Sequence, residues 1–112
     1  MQYLLMIATR KFRDDLTEED RRPWIAYRQA MMDAGVYVGG APLKPPATGK
    51  TIWKEGGKRR VHDGPFAESK EQLGGYILLD VPSQEEALEW AARCPAADYG
   101  RIEVRPLDLD NG

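Results

Sequence analysis

The sequence is poor in the residues that most metal and disulfide sites require. Its 112 residues include one cysteine, Cys94, and one histidine, His62. A single cysteine cannot form an internal disulfide, and neither residue has a second His or Cys at zinc-ligand spacing. We therefore expect no structural metal, no cofactor and a cytoplasmic location.

The sequence also lacks a marked excess of charge of either sign and any long hydrophobic run. Its 16 Lys and Arg are balanced by 18 Asp and Glu, giving a net charge of -2, and the two signs are interleaved. This balance does not indicate a nucleic-acid-binding or membrane-binding surface. The apolar residues 2–9 are too few to span a membrane and lack the basic lead-in of a signal peptide. The length predicts one domain with one core.

Six stretches have the composition of β-strands, with apolar runs or alternating polar and apolar residues. They are residues 2–9, 36–38, 51–54, 58–61, 76–81 and 101–105. Gly56 and Gly57, between the third and fourth stretches, predict a hairpin turn. Gly39 and Gly40 predict a bulge or a close approach of another backbone or a ligand.

A first helix is predicted by apolar residues at helical spacing, namely Trp24, Tyr27, Met31 and Ala34, with Arg28 and Asp33 on other faces. Thr17 and Asp20 resemble a capping box. A proline deep in a helix removes a hydrogen bond and clashes with the preceding turn, so Pro23 would disrupt a helix that began at Thr17. The regular helix is therefore expected to begin only near Arg22. Gly35 is a suitable C-terminal glycine.

A second helix is predicted from Ser83 and Glu86, which have the spacing of a capping box. Small residues and one leucine then form a narrow apolar stripe, consisting of Ala87, Leu88, Ala91 and Ala92. Pro95 is expected to end this helix.

The predicted order is strand, helix, strand, added hairpin, strand, helix, strand. This is the ferredoxin-like split β-α-β pattern of an α+β protein, with both helices on one face of a mainly antiparallel sheet. Residues 2–9 and 76–81 are apolar on both faces, so something should cover the other face of the sheet. A second copy of the chain is the simplest cover, which predicts a two-fold homodimer with its sheets face to face.

The run from Asp63 to Tyr76, DGPFAESKEQLGGY, resembles the signature of the DGPF branch of the YCII-related protein family. The similarity extends to residues 34–48, 87–96 and 102–106 and so covers nearly the whole chain. The resemblance implies a dimeric α+β barrel of the ferredoxin-like type but no established general reaction. Genes of this family often lie beside those for extracytoplasmic-function sigma factors. A regulatory or interaction protein with a sigma-factor partner is therefore the alternative to a metabolite-binding protein or enzyme.

The wider YCII-related group is associated with a His and Asp pair that acts as an acid-base dyad, with its His on the first helix after an Arg-Pro step. In this chain Arg22-Pro23 is followed by Trp24, so the first helix offers no imidazole. His62 lies in the signature strand instead. Because neighbouring strand residues point to opposite faces, His62 and Asp63 need not meet, and a catalytic role for His62 is not favoured.

Two carboxylates, Asp63 and Glu68, are the candidate catalytic residues. A turn between them could bring both to one cleft, where mutual repulsion would raise one pKa and suit it to proton transfer. Structural explanations compete, because Asp63 can accept backbone donors in its own turn and Glu68 can pair with Lys70 or an arginine.

The candidate ligand-binding residues are those that border the same cleft or supply aromatic walls, namely Trp24, Tyr27, Trp53, Phe66 and Lys70. Aromatic side chains favour apolar pockets, but at helical spacing Trp24 and Tyr27 would equally serve as core residues. The expected ligand is a small polar or aromatic metabolite, bound beside the loop from Asp63 to Lys70. Any reaction there would be cofactor-independent acid-base chemistry.

Overall fold

The structure is a computed structural model that describes residues 1–109. Within that range it has six strands and two α-helices, which are β1 (Gln2–Thr9), α1 (Glu18–Asp33), β2 (Tyr37–Pro42), β3 (Lys50–Glu55), β4 (Lys58–Asp63), β5 (Gln72–Asp80), α2 (Gln84–Arg93) and β6 (Arg101–Pro106). Neither helix is both long and apolar enough to cross a membrane.

Four strands form an antiparallel sheet in the order β2-β5-β1-β6. This order, with α1 and α2 as the two crossovers, is the ferredoxin-like arrangement that the sequence predicts. β3 and β4 pair only with each other and form a separate two-stranded hairpin. The mixed α+β fold is thus confirmed.

The core lies between the sheet and the two helices. Alternate residues of β1 are buried, with Leu5 completely inaccessible. Met31 of α1 and Ala87 of α2 pack in the same cluster, and the small side chain of alanine lets α2 approach the sheet closely. The predicted apolar stripe of α2 is wrong in two of its four members, because Leu88 is 45% exposed and Ala92 is exposed as well.

α1 begins four residues earlier than the sequence predicts, and Pro23 lies inside it. The predicted capping box explains why. Thr17 Oγ1 accepts a hydrogen bond from Asp20 N (3.1 Å), while Asp20 Oδ2 accepts one from Thr17 N (3.0 Å) and pairs with Lys11 Nζ (3.1 Å). These bonds secure the turn that precedes the proline, so its missing N–H costs a single bond within an already anchored helix.

The predicted turns are present. Gly35 has φ 72° and follows the C-terminus of α1. Gly56 and Gly57 both have positive φ (56° and 79°), as a two-residue type I′ hairpin turn requires. The pairing of β2 with β5 shifts register between Tyr37 and Gly39, so the bulge predicted at the double glycine is confirmed.

Candidate functional site

A cavity of about 370 Å³ lies between α1 and the part of the sheet formed by β1, β5 and β2. We call it the α1 cleft. Its size falls within the range of ordinary small-molecule sites, roughly 300–1,000 Å³. The core side chains Ile7, Met31 and Ile77 form part of its lining, so its interior is apolar.

Glycines in two neighbouring strands leave space beneath α1. Gly40 of β2 and Gly75 of β5 both line the α1 cleft. They pair in register with Ile77 and Ile7, whose side chains are buried in the core. A larger residue at either glycine would meet the backbone of the adjacent strand before it filled the cleft, since a Cβ on Gly75 would lie 3.0 Å from Ala41 O. The two strands therefore approach closely and contribute backbone to the cleft.

Four basic residues line the α1 cleft, and among residues 1–109 no Asp or Glu does so. These basic residues are Lys11, Arg13, Arg21 and Arg28. Lys11 is paired with Asp20, but Arg13, Arg21 and Arg28 take part in none of the ion pairs formed within the described part of the chain. The Arg28 guanidinium lies 5.7 Å from the ring centroid of Tyr37. In a chain of net charge -2, this concentration of unneutralised positive charge favours an anionic ligand.

Tyr99 gives the α1 cleft a hydroxyl that can donate a hydrogen bond. Its oxygen accepts a bond from Trp24 Nε1 at 3.0 Å, which leaves its own proton for another acceptor. Burial raises the pKa of Tyr99, and the hydrogen bond from Trp24 offsets only part of this effect. The hydroxyl therefore stays protonated near neutral pH. Lys11 Nζ lies 5.6 Å from the centroid of the same ring. Tyr99 and Lys11 together form a donor group at the cleft.

Tyr27 contributes its ring rather than its hydroxyl. The hydroxyl donates to Trp90 O at 2.7 Å, and burial raises the pKa of Tyr27 far above its usual value. The ring meets Trp24 edge to face with centroids 6.2 Å apart. Trp24 and Tyr27 thus serve both purposes considered from the sequence, because they pack against the core and also line the α1 cleft.

The structure places the candidate carboxylates elsewhere. Among the described residues, those that line the α1 cleft include none from 61–70. Asp63 is exposed at the end of β4 and pairs with Lys50 Nζ at 2.6 Å; this contact lowers the pKa of Asp63 and keeps it ionised. Glu68 and Lys70 are exposed on the loop that follows. Within one copy, these residues do not belong to the cavity.

The other predicted site residues lie on or beside the hairpin. His62 and Trp53 project from its strands, and Trp53 is 47% exposed. Phe66 is 92% exposed on the loop after β4. An aromatic ring so exposed gains nothing from the fold of its own chain.

The sequence contained a signal for part of the α1 cleft that composition arguments missed. Arg21, Trp24 and Arg28 are spaced three and four residues apart, so they share one face of α1. Arg28 is predicted on another face than the apolar one, because that prediction depends on the positions of the apolar residues alone. Lys11, Arg13 and Tyr99 had no such signal, since they lie outside the α-helices and strands, and Tyr99 is far from the other two in the chain.

Within residues 1–109 no group of three or more His, Cys, Asp or Glu is arranged to hold a metal ion. The lining of the α1 cleft offers nitrogen and hydroxyl donors, which suit an anion or an oxygenated ring.

The thiol of Cys94 should be nearly inert in the folded protein. It is buried, and burial raises its pKa to about 11. At pH 8 we expect Ellman's reagent to react with native Cys94 more than about 100-fold slower than with the urea-unfolded chain, because thiolate is the reactive form. Equal rates in the two states would contradict the buried position.

The fold of the chain matches that of a solved enzyme. 5-Chloro-2-hydroxyhydroquinone dehydrochlorinase from Burkholderia phenoliruptrix AC1100, solved in complex with 2,5-dihydroxybenzoquinone, superposes with a TM-score of 0.57 over 99% of this chain and 97% of the enzyme. The sequences are only 14% identical, so the comparison shows a shared fold.

Sequence comparisons identify the family. An uncharacterized protein of Rhizobium meliloti (strain 1021), R00369, is 40% identical over 97 residues, which are 82% of this chain and 78% of that protein. The model of the YCII-related domain matches residues 1–108. The chain therefore belongs to the YCII-related family.

Proposed function

We propose that this protein binds a small planar anion, an aromatic carboxylate or phenolate, in the α1 cleft. The observation that carries the proposal is the lining itself, with four basic residues and, among residues 1–109, no acidic one. The aromatic residues beside them would contact the ring of the ligand; they are Trp24, Tyr27, Tyr37 and Tyr99. Apolar walls with a few convergent polar groups are typical of small-molecule sites.

The ligand of the structural neighbour supports this choice of chemical class. The dehydrochlorinase of the same fold was solved with 2,5-dihydroxybenzoquinone, a planar oxygenated ring. A ring of that size fits a cavity of about 370 Å³. Guanidinium groups suit such a ligand doubly, because they donate to its oxygens and stack on its face.

If the bound molecule is also transformed, we propose cofactor-independent acid-base chemistry. Tyr99 and Lys11, which line the α1 cleft in one copy, would be the proton donors. Asp63 and Glu68 remain proposed proton carriers only in a dimer in which the loop of one copy reaches the α1 cleft of the other copy. The run from Asp63 to Tyr76 supports placing the chain in the DGPF branch, which leaves its reaction open.

The proposal includes a homodimer. The sheet face opposite the helices carries Leu4, Met6 and Leu78, which are only partly buried, and Val38, which is 48% exposed. Leu4 and Leu78 lie directly opposite each other in register and so share this face. A contiguous apolar face is a common interaction surface, and a second copy with its sheet turned toward the first would cover it.

A ligand panel tests the function directly. Benzoate, salicylate and 2,5-dihydroxybenzoquinone should raise the melting temperature, by about 10 °C at 100 times the dissociation constant. Benzamide, the matched neutral analogue of benzoate, should give a far smaller shift. The benzoate shift should also shrink in high salt, because the cations are at the cleft rim. Equal stabilisation by benzamide and benzoate, or none by any anion, would refute an anion site.

A further inference from the structure

We propose that the β3–β4 hairpin, residues 50–63, is an arm that clasps a second copy of this chain. The arm would hold together the dimer proposed above, so its role rests on that dimer. It does not depend on whether a ligand enters the α1 cleft.

The arm is unsupported within its own chain. Eleven of its twelve strand residues are exposed. Its ion pairs, Lys50 with Asp63 and Arg60 with Glu55, are internal to the hairpin. A lone two-stranded hairpin is marginally stable in water. Packing against another surface would supply what the arm lacks.

The arm exposes apolar side chains on both of its faces. Ile52 and Val61 lie directly opposite each other, 60% and 45% exposed, so they form one apolar pair. Trp53 is opposite Arg60 on the other face and is 47% exposed. Exposed aliphatic and indole groups so close together are typical of residues that become buried in an interface.

The size of the molecule measures how much surface is left uncovered. The radius of gyration is 15.9 Å, whereas a compact domain of this length has about 13 Å. The accessible surface is 8074 Å², compared with about 6,200 Å² for a folded monomer of this mass. The excess of roughly 1,900 Å² exceeds the ~800 Å² that each partner buries in a standard interface. One chain therefore has enough surplus surface for a stable homodimer.

Charge identifies the second copy as the occupant. The arm has five Lys and Arg and two acidic residues, so its net charge is +3. The rest of the chain has 11 basic and 16 acidic residues, a net charge of -5. A basic arm and an acidic body repel their own kind and attract each other, so reciprocal exchange of arms between two copies is electrostatically favourable.

The position of the arm also fits the proposed dimer. It joins β2 to β5, the two strands at one side of the sheet. The uncovered apolar sheet face includes Val38 of β2 and Leu78 of β5. If two sheets pack through this face, each arm leaves its sheet beside the interface and can extend along the partner. The apolar residues of the arm favour this occupant over a nucleic acid, which would need the cations but not Ile52 or Val61.

The arm is tested with the double variant Ile52→Glu, Val61→Glu in the full chain. We expect sedimentation equilibrium to show a dimer dissociation constant at least about 30-fold higher than that of the wild type, since a desolvated aliphatic pair is replaced by charge. Leu88→Glu on α2 is the matched control, because Leu88 is exposed to the same degree as Val61 but belongs to the helical layer. It should leave the dimer unchanged, and circular dichroism should show the same fold in both variants.

A photo-crosslinker at position 53 locates the arm. In mixed dimers of ¹⁴N- and ¹⁵N-labelled copies, p-benzoylphenylalanine in place of Trp53 should give crosslinked peptides that combine the two isotopes. Crosslinks confined to one isotope would show that the arm folds back on its own chain and would overturn the proposal.

Further outcomes separate the arm from the sheet face and from the ligand site. If Val38→Glu dissociates the dimer but the arm variant does not, the sheet face alone holds the copies and the arm proposal is wrong. A wild-type protein that is monomeric at all concentrations would refute both the sheet-face dimer and the arm.

Binding to nucleic acid is tested separately. Tight binding of a DNA duplex at 150 mM salt, lost when Lys54 and Arg59 become Glu, would assign the arm to nucleic acid instead. Ligand shifts by benzoate bear on none of these results.

Discussion

Replacing both Arg13 and Arg28 by glutamine should weaken the binding of benzoate or salicylate by about 100-fold. Both residues line the α1 cleft, and neither forms an ion pair within residues 1–109. Their positive charge is therefore available to a ligand. Each charge-assisted hydrogen bond contributes roughly 1.5–3 kcal/mol. At this exposed rim the lower end applies, because solvent and salt screen the charges.

The same double variant should keep its stability, with a melting temperature within about 3 °C of the wild type. Among the side-chain hydrogen bonds, ion pairs and cation-π contacts of residues 1–109, the Arg28 guanidinium takes part only in the contact with the ring of Tyr37, which is an exposed cation-π contact of modest strength. Isothermal titration measures affinity, and thermal unfolding measures stability, so loss of binding is distinguished from loss of fold.

Arg22→Gln is the matched control for this experiment. Arg22 is exposed on α1 and is not among the residues that line the α1 cleft. It changes the net charge of the chain by the same step as a single cleft substitution, so it should alter benzoate affinity less than about threefold. If Arg22→Gln weakens binding as much as Arg28→Gln, the effect is one of general charge, and a specific site in the cleft is contradicted.

The sequence predicted the fold well because local signals agreed with one another. The capping residues Thr17 and Ser83, the terminal Gly35 and the Gly56-Gly57 turn mark the ends of elements, and each lies where the structure has it. The prediction failed at Pro23, where a general rule about proline was outweighed by a cap several residues away. Element order then determined the topology, since few arrangements of β-α-β units are compatible with short connections.

The candidate site could not be predicted as well, because it depends on tertiary contacts. Asp63 and Glu68 attracted interest as neighbours in sequence, but the hairpin places Asp63 beside Lys50 and outside the α1 cleft. Tyr99 and Lys11 are 88 positions apart in the chain, and they meet only in the folded protein. The periodicity of apolar residues does not predict such a contact. Local sequence specifies elements, whereas a cleft is specified by how those elements pack.

Gly40 of β2 lies against the backbone of β5, where there is no room for a side chain. Gly40→Ala should destabilise the protein by about 2–3 kcal/mol, which lowers its melting temperature by about 10 °C or more. A Cβ at this position would lie 2.5 Å from Tyr76 O and 3.1 Å from the Ile77 Cα. Both are backbone atoms of β5, which is held on its other side by β1, so the clash cannot be relieved by rotating a side chain. Chemical denaturation of the two proteins measures the difference.

Gly39→Ala separates this steric explanation from the general effect of removing a glycine. Gly39 precedes Gly40 in the same strand, has no positive φ and has nothing within 4 Å of a built Cβ. Alanine there should leave stability unchanged or raise it by about 0.4–1 kcal/mol, because it restricts the unfolded chain. Equal destabilisation by both substitutions would mean that the bulge, rather than the approach of β5, requires glycine. A large loss at Gly40 alone would establish that β2 and β5 meet as closely as the structure shows, and this approach is what brings their backbones to the α1 cleft.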